Sequence, residues 1–104
     1  MRVSAALLTG LLLAGPPALA GSVEQGLEKT KELGCRTCHG KDGQGIMPIY
    51  PNLAGQKAAY LEQQLKAFRS GRRPAAQMSI VAKDLSNQDI SDLAAYYASL
   101  KPCQ

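Results

Sequence analysis

The stretch that decides the fold is Cys35-Arg36-Thr37-Cys38-His39, because it gathers most of the metal- and redox-active side chains of the chain. It holds the only histidine and two of the three cysteines of 104 residues. A disulfide between Cys35 and Cys38 is one interpretation, with His39 as a solvated side chain. A thioredoxin-like site also uses C-x-x-C but normally follows a strand. Zinc needs a fourth ligand, and the remaining cysteine, Cys103, lies at the far end of the chain.

The same spacing is the C-x-x-C-H pattern of covalent c-type haem attachment. Two thiols on one helical turn match the separation of the two porphyrin vinyl groups, and each thiol adds to one of them. The next residue then lies under the iron. The motif therefore predicts thioether bonds at Cys35 and Cys38, His39 as the proximal iron ligand, and one covalent haem c with its iron as the cofactor.

The N-terminus has the pattern of an export signal. Arg2 forms the basic region, an apolar run covers 3–14, a Gly-Pro-Pro breaker follows, and Ala18-Leu19-Ala20 is a cleavage site. We expect residues 1–20 to be a cleaved signal peptide and residues 21–104 to form the mature domain in the periplasm. The alternative is an uncleaved membrane anchor, since about 20 apolar residues span a bilayer.

Composition limits the remaining choices. Aromatic residues make up 5% of the chain, so the predicted domain has a thin core that a bound cofactor would complete. The net charge is +4, and the signal segment contributes only Arg2 to it. Nucleic-acid binding has little support, because the only basic cluster is Arg69, Arg72 and Arg73.

Apolar periodicity predicts an all-α fold. One short helix begins near Val23 and ends before Gly34, and a second covers about residues 57–70 with Gly71 as its C-terminal residue. The third begins at Ser86 with a capping-box pattern and ends before Pro102. The long Gly- and Pro-rich segment between the first two helices is expected to wrap a ligand.

Beyond the motif, residues 24–100 resemble a class I cytochrome c, in particular one haem-binding half of the dihaem bacterial cytochromes of the c-four group and related short monohaem proteins. The matching blocks are 35–40, 50–56, 60–71, and Met78 followed by Ser86. The resemblance implies three main helices around one haem. It also implies that the N- and C-terminal helices cross near Tyr96 or Tyr97, and that the Pro51 carbonyl accepts a hydrogen bond from His39 Nδ1.

The sixth iron ligand is the next question. Met47 lies shortly after His39 on the proximal side. Met78 lies in the Pro- and Ala-rich loop expected between the second and third helices, which is long enough to cover the distal face. Met78 also matches the axial methionine of the family, so it is the predicted distal ligand, although either methionine could instead fill a gap in the core. Leu53 and Ile46 are expected to wall the haem cavity, and the haem propionates would meet Tyr50, Gln56 or one of Arg69, Arg72 and Arg73.

With His39 and Met78 as ligands, the predicted function is one-electron transfer without enzymatic activity. The expected redox partners are proteins such as a terminal oxidase, a reductase or a dehydrogenase. No membrane span is expected once the signal peptide has been cleaved. One alternative is the haem c subunit of a larger dehydrogenase that oxidises sulfur compounds or alcohols. Another is a gas or peroxide binder with an open sixth site.

Cys103 departs from the family pattern and predicts either an intermolecular disulfide or an unpaired or modified thiol.

Overall fold

The computed structural model describes residues 20–102, and within that range it contains helices and no strand. The all-α prediction is thereby confirmed for this part of the chain. Residues 1–19 of the predicted export signal, and Cys103, lie outside the described residues. In chain order the helices are α1 (Val23–Glu32), α2 (Cys35–His39), α3 (Ala58–Ser70), α4 (Met78–Ala82) and α5 (Asn87–Ser99).

The three helices expected from periodicity are α1, α3 and α5, and their ends follow the predicted signals. Gly71 ends α3 in the left-handed region with φ 83°. Ser86 begins α5 with a complete capping box, since its hydroxyl accepts from the Asp89 N–H while the Asp89 carboxylate accepts from the Ser86 N–H. Local sequence therefore sets where the long helices begin and end.

The segment around Met78 differs from the expectation. We predicted a loop there, but residues 78–82 form the short helix α4. A helix of this length has too little periodicity to be recognised and is marginal on its own. Packing accounts for it, because Ala82 is fully buried against a cluster that includes Leu85, Ile90 and Leu93.

Helices α1 and α5 cross at very close range, as the resemblance implied. The buried residues of α1 are Gly26 and Thr30, whereas the larger Val23 is exposed. A Cβ placed on Gly26 would lie 2.6 Å from the Tyr96 Cβ and would overlap the Asp92 carbonyl oxygen. Small side chains at the crossing thus allow the two backbones to approach each other.

Polar contacts fix the same crossing. The buried Asp92 carboxylate accepts a 2.8 Å hydrogen bond from the Ser22 N–H at the start of α1. Lys29 Nζ of α1 lies 3.3 Å from Asp89 Oδ1 of α5. The register of the two helices is therefore set by contacts at both ends of α1 as well as by the fit at Gly26.

The apolar core is small and lies in two clusters beside a large cavity. The first contains Leu61, Ala94, Tyr96 and Tyr97, and the second Ala82, Leu85, Ile90 and Leu93. Cys35 packs against both clusters. The predicted thin core is thus confirmed, and the attachment motif lies where its two parts meet.

No helix within residues 20–102 combines the length and the apolar character needed to cross a bilayer.

The crossing gives a direct test of packing. Gly26→Ala is expected to lower the free energy of unfolding by about 1–3 kcal/mol through overpacking. This loss should occur even though Ala is favoured over Gly in a helix by about 1 kcal/mol. Urea unfolding followed by circular dichroism measures it, with Gln25→Ala as the control because Gln25 is exposed on the same helix. Equal stability of the two variants would show that the helices do not approach this closely.

Candidate haem site

A single large cavity contains nearly all of the predicted site residues. Its volume is about 740 Å³, within the range of 300–1,000 Å³ that is usual for small-molecule and cofactor sites. Side chains of α2, the segment after it, α3, α4 and α5 line it. The predicted residues among them are Cys35, Cys38, His39, Pro51, Leu53 and Met78.

The attachment motif forms α2, a single short helix that opens onto the cavity. Gly34 and Gly40 flank it with φ values of 73° and 78°, so the chain turns sharply on both sides. The sulfurs of Cys35 and Cys38 are half-buried and are not joined in a disulfide. Burial raises the pKa of the Cys35 thiol. Two thiols on one turn of an apolar wall can each form a thioether with a flat, apolar cofactor.

His39 is buried, and the backbone fixes its orientation. Its Nδ1 lies 2.9 Å from the Pro51 carbonyl oxygen, an atom that can only accept. Nδ1 must therefore carry the proton, and in the neutral ring this leaves the lone pair of Nε2 available for a metal. This contact agrees with the hydrogen bond that the resemblance implied.

The segment from 40 to 56 places the Pro51 carbonyl by wrapping back onto two helices. The Ile46 N–H donates to the Cys38 carbonyl at 3.0 Å, and the Gly55 N–H donates to the Tyr97 carbonyl at 2.9 Å. Inside the segment the Leu53 N–H donates to the Gly43 carbonyl at 2.8 Å. The long loop is thus tied to α2 at one end and to α5 at the other, which holds Pro51 against His39.

Met78 lines the cavity from α4, far along the chain from the motif. The residues on either side of it are held by a reciprocal pair of contacts: the Ser79 N–H donates to the Ala75 carbonyl at 3.1 Å, and the Ala75 N–H donates to the Ser79 hydroxyl at 2.9 Å. These bonds and the buried Ala82 fix the backbone at Met78. Its thioether is therefore presented by an ordered element.

The competing methionine lies elsewhere. Met47 is 51% exposed and is not among the residues that line the cavity. Ile46, which we expected in the cavity wall, is 60% exposed and also lies outside it. That prediction was wrong because the segment turns there to return toward Pro51, so that the Ile46 backbone bonds to α2 while its side chain faces away from the core.

The polar residues expected to meet the haem propionates also divide into those that line the cavity and those that do not. Tyr50, Gln56 and Arg73 line the cavity. Arg69 does not, because it donates 2.9 Å and 2.8 Å hydrogen bonds to the Leu85 carbonyl and the Asn87 side chain. Arg72 does not either, since it contacts Ser70. Arg73 is thus the member of the basic cluster that can reach a ligand here.

Two parts of the site are not predicted by the sequence. One is the face of α3 formed by Leu61, Leu65 and Phe68, whose spacing indicated burial but not that the residues line a cavity. The other is Tyr97, whose hydroxyl is buried at the cavity wall. The family resemblance named the pair Tyr96 and Tyr97 only for the helix crossing, and nothing in the sequence distinguishes them.

The cavity fits a haem by these observations: it has the size, a largely apolar wall, two thiols on one turn, an imidazole with its Nε2 available and a thioether on α4. Within residues 20–102 no three His, Cys, Asp or Glu side chains come together as a metal cluster. Fold and site together define an all-helical domain of the kind that attaches one haem covalently.

The chain belongs to the cytochrome c family, whose model matches residues 23–101. It is therefore a haem c protein with one haem and its iron, and its role is electron transfer rather than enzymatic catalysis.

Three known proteins place it more narrowly. It is 57% identical over 68 residues to cytochrome c-554(548) of Halomonas halodenitrificans, covering 62% of this chain and 82% of that one. The solved structure of cytochrome c4 from Pseudomonas stutzeri matches with a TM-score of 0.72 and 37% identity, covering 79% of this chain and 47% of that one. The thiosulfate dehydrogenase electron acceptor of Thiomonas intermedia is 46% identical over 69 residues, covering 65% of this chain and 32% of that protein. The chain thus resembles one half of a cytochrome c4.

Proposed function

We propose that the mature protein is a periplasmic one-electron carrier in which Cys35 and Cys38 hold haem c through thioether bonds, and His39 and Met78 are the two axial iron ligands. The observation that carries this proposal is the 2.9 Å contact between His39 Nδ1 and the Pro51 carbonyl oxygen at the wall of a cavity that Met78 also lines. The contact aligns the imidazole as a ligand and increases its basicity.

The attachment residues are supported by their setting. Cys35 and Cys38 lie on one helical turn, half-buried, with apolar clusters behind them. Once bonded on both sides of α2, the cofactor would be held next to His39 without relying on packing alone. This matters in a domain with so few buried apolar side chains.

The axial residues explain why the activity is electron transfer. When bound, haem c supplies an iron that changes between Fe(II) and Fe(III). Two protein ligands leave no coordination position for a substrate, and the thioether of Met78 is a soft, neutral ligand that favours Fe(II). The apolar side chains of the wall, among them Leu61, Leu65 and Phe68, exclude water from the ligands. The chain therefore keeps the coordination fixed while the charge changes.

Cellular location and processing belong to the same proposal. We infer cleavage after Ala20, with residues 21–104 released in the periplasm as the haem-bearing domain. The proposed donors and acceptors are a dehydrogenase, a reductase or a terminal oxidase. Cys103 could join two chains through a disulfide after export, or it could remain a terminal thiol.

A second candidate is the haem c subunit of a dehydrogenase that oxidises sulfur compounds. The observation that favours it is the 46% identity to a protein named as an electron acceptor of thiosulfate dehydrogenase. In that arrangement the same haem would receive electrons inside a complex. The two candidates share the site and differ in the permanence of the partner.

The test is export of the full chain in a bacterium that matures c-type cytochromes, followed by mass spectrometry and a redox titration. We expect a chain beginning at Gly21 with the added mass of one haem, a one-electron titration, and a reduced form that does not bind CO rapidly. Rapid CO binding by the reduced protein would contradict the axial role of Met78. Stable co-purification of the native protein with a catalytic subunit would favour the second candidate.

A further inference from the structure

Tyr97 carries a buried hydroxyl that nothing in the fold satisfies. The residue is 4% exposed, and among residues 20–102 its hydroxyl oxygen has no hydrogen-bond partner. A buried polar group without a partner is destabilising, because it has lost its hydrogen bonds to water. Such a group therefore points to an acceptor that reaches hydrogen-bonding geometry only when the cavity is filled.

The neighbouring Tyr96 shows the contrast. Its hydroxyl donates to the Lys41 carbonyl at 3.3 Å, and its ring does not line the cavity. The two rings meet edge to face with centroids 5.2 Å apart. Tyr96 thus acts in the helix crossing, and its packing holds the Tyr97 ring in place.

Tyr97 lies at the cavity wall between the attachment residue and the proximal ligand. Its ring is edge to face with that of His39, with centroids 6.5 Å apart. Cys35 packs against the cluster that contains Tyr97. Burial raises the pKa of the Tyr97 phenol, so the hydroxyl keeps its proton and remains a donor. Cys35 and Tyr97 line the same cavity, and the pKa of the Cys35 thiol is raised mainly by burial and lowered by the Tyr97 hydroxyl.

We propose that Tyr97 is a positioning residue that raises the reduction potential by donating a weak hydrogen bond to the Cys35 sulfur of the haem thioether. This inference rests on the proposed attachment at Cys35. A donor at that sulfur withdraws electron density from the substituent that Cys35 makes, and this favours the reduced state. Thioether sulfur is a weak acceptor, which fits a hydroxyl that has no stronger partner.

The experiment compares Tyr97→Phe and Tyr96→Phe as purified holoproteins by spectroelectrochemical titration. For Tyr97→Phe we expect the ratio of reduced to oxidised protein at the wild-type midpoint to fall about threefold to tenfold, which corresponds to about 30–60 mV for one electron. Tyr96→Phe should keep the wild-type midpoint, because the Tyr96 hydroxyl donates to the Lys41 carbonyl and the residue does not line the cavity. A wild-type potential in Tyr97→Phe, or an equal shift in both variants, would overturn the proposal.

A second measurement needs no variant. Resonance Raman spectra of the wild-type protein in H₂O and D₂O should differ in a C–S stretching band of the thioethers, because the phenol proton exchanges. The absence of any isotope shift would also overturn the proposal. Failure of the proposed function is distinguishable, since it would appear as loss of haem from the wild-type protein on denaturation, whereas failure of this inference leaves a covalent haem protein with an unaltered potential.

Discussion

Replacing Cys35 and Cys38 together by alanine is expected to abolish covalent retention of the haem. The wild-type chain should keep its haem through denaturation and acid extraction with organic solvent, whereas the double variant should release all of it. The physical reason is that only the two thioether bonds survive when packing and axial ligation are lost. Haem-stained denaturing gels and mass spectrometry of the extracted protein measure the result.

The matched control is Cys103→Ala, which removes the third cysteine and should leave haem retention at the wild-type level. The double variant should also lose helicity, because the core of residues 20–102 consists of two small clusters beside a cavity of about 740 Å³. Small domains commonly depend on such a bound group for stability. Covalently bound haem in the double variant would overturn the assignment of α2 as the attachment site.

Met78→Ala is expected to have the second largest effect, because it removes the proposed distal ligand without touching the attachment. The reduced variant should bind CO rapidly, and its midpoint potential should fall by an amount on the order of 100 mV, within the range of about 0.8 V that axial ligands span. Stopped-flow mixing with CO and a redox titration measure the two changes. The covalent haem should remain fully attached.

Met47→Ala is the control for the same chemistry, since Met47 is half exposed and does not line the cavity. It should retain the CO reactivity and the potential of the wild-type protein. If Met47→Ala opened the iron to CO while Met78→Ala did not, the distal ligand would have to be reassigned. If neither variant changed CO binding, the sixth ligand would not be a methionine.

Much of the site could be predicted because its chemistry is local. The C-x-x-C-H spacing joins two thiols and an imidazole within five residues, and α2 indeed presents all three at the cavity wall. Capping signals such as Ser86 with Asp89 act over a single turn, so the beginning of α5 is encoded where it occurs. The choice of Met78 over Met47 as a cavity residue also agrees with the structure. That choice depended on the distance of each methionine from His39 along the chain and on the family resemblance, not on a local pattern.

The two incorrect predictions, for Ile46 and for the region of Met78, have the same cause. Ile46 was expected, with Leu53, in the cavity wall, yet the return of the chain toward Pro51 turns Ile46 outward. The region of Met78 was expected to be a loop, yet burial of Ala82 makes it helical. In both places the outcome depends on contacts with residues distant in the sequence, and neither a hydropathy pattern nor a propensity contains that information.

The sequence by itself determined the chemistry of this protein: a cytochrome c motif at residues 35–39, three amphipathic helices with their caps, and a thin core that a bound cofactor would complete. Only the tertiary structure decided which carbonyl orients His39, how closely α1 approaches α5 at Gly26, and which of two adjacent tyrosines lines the cavity with a buried, unpaired hydroxyl. The reason is that spacing along a helix or turn is fixed by local covalent geometry. The direction of a side chain within the core depends instead on which distant surfaces pack together.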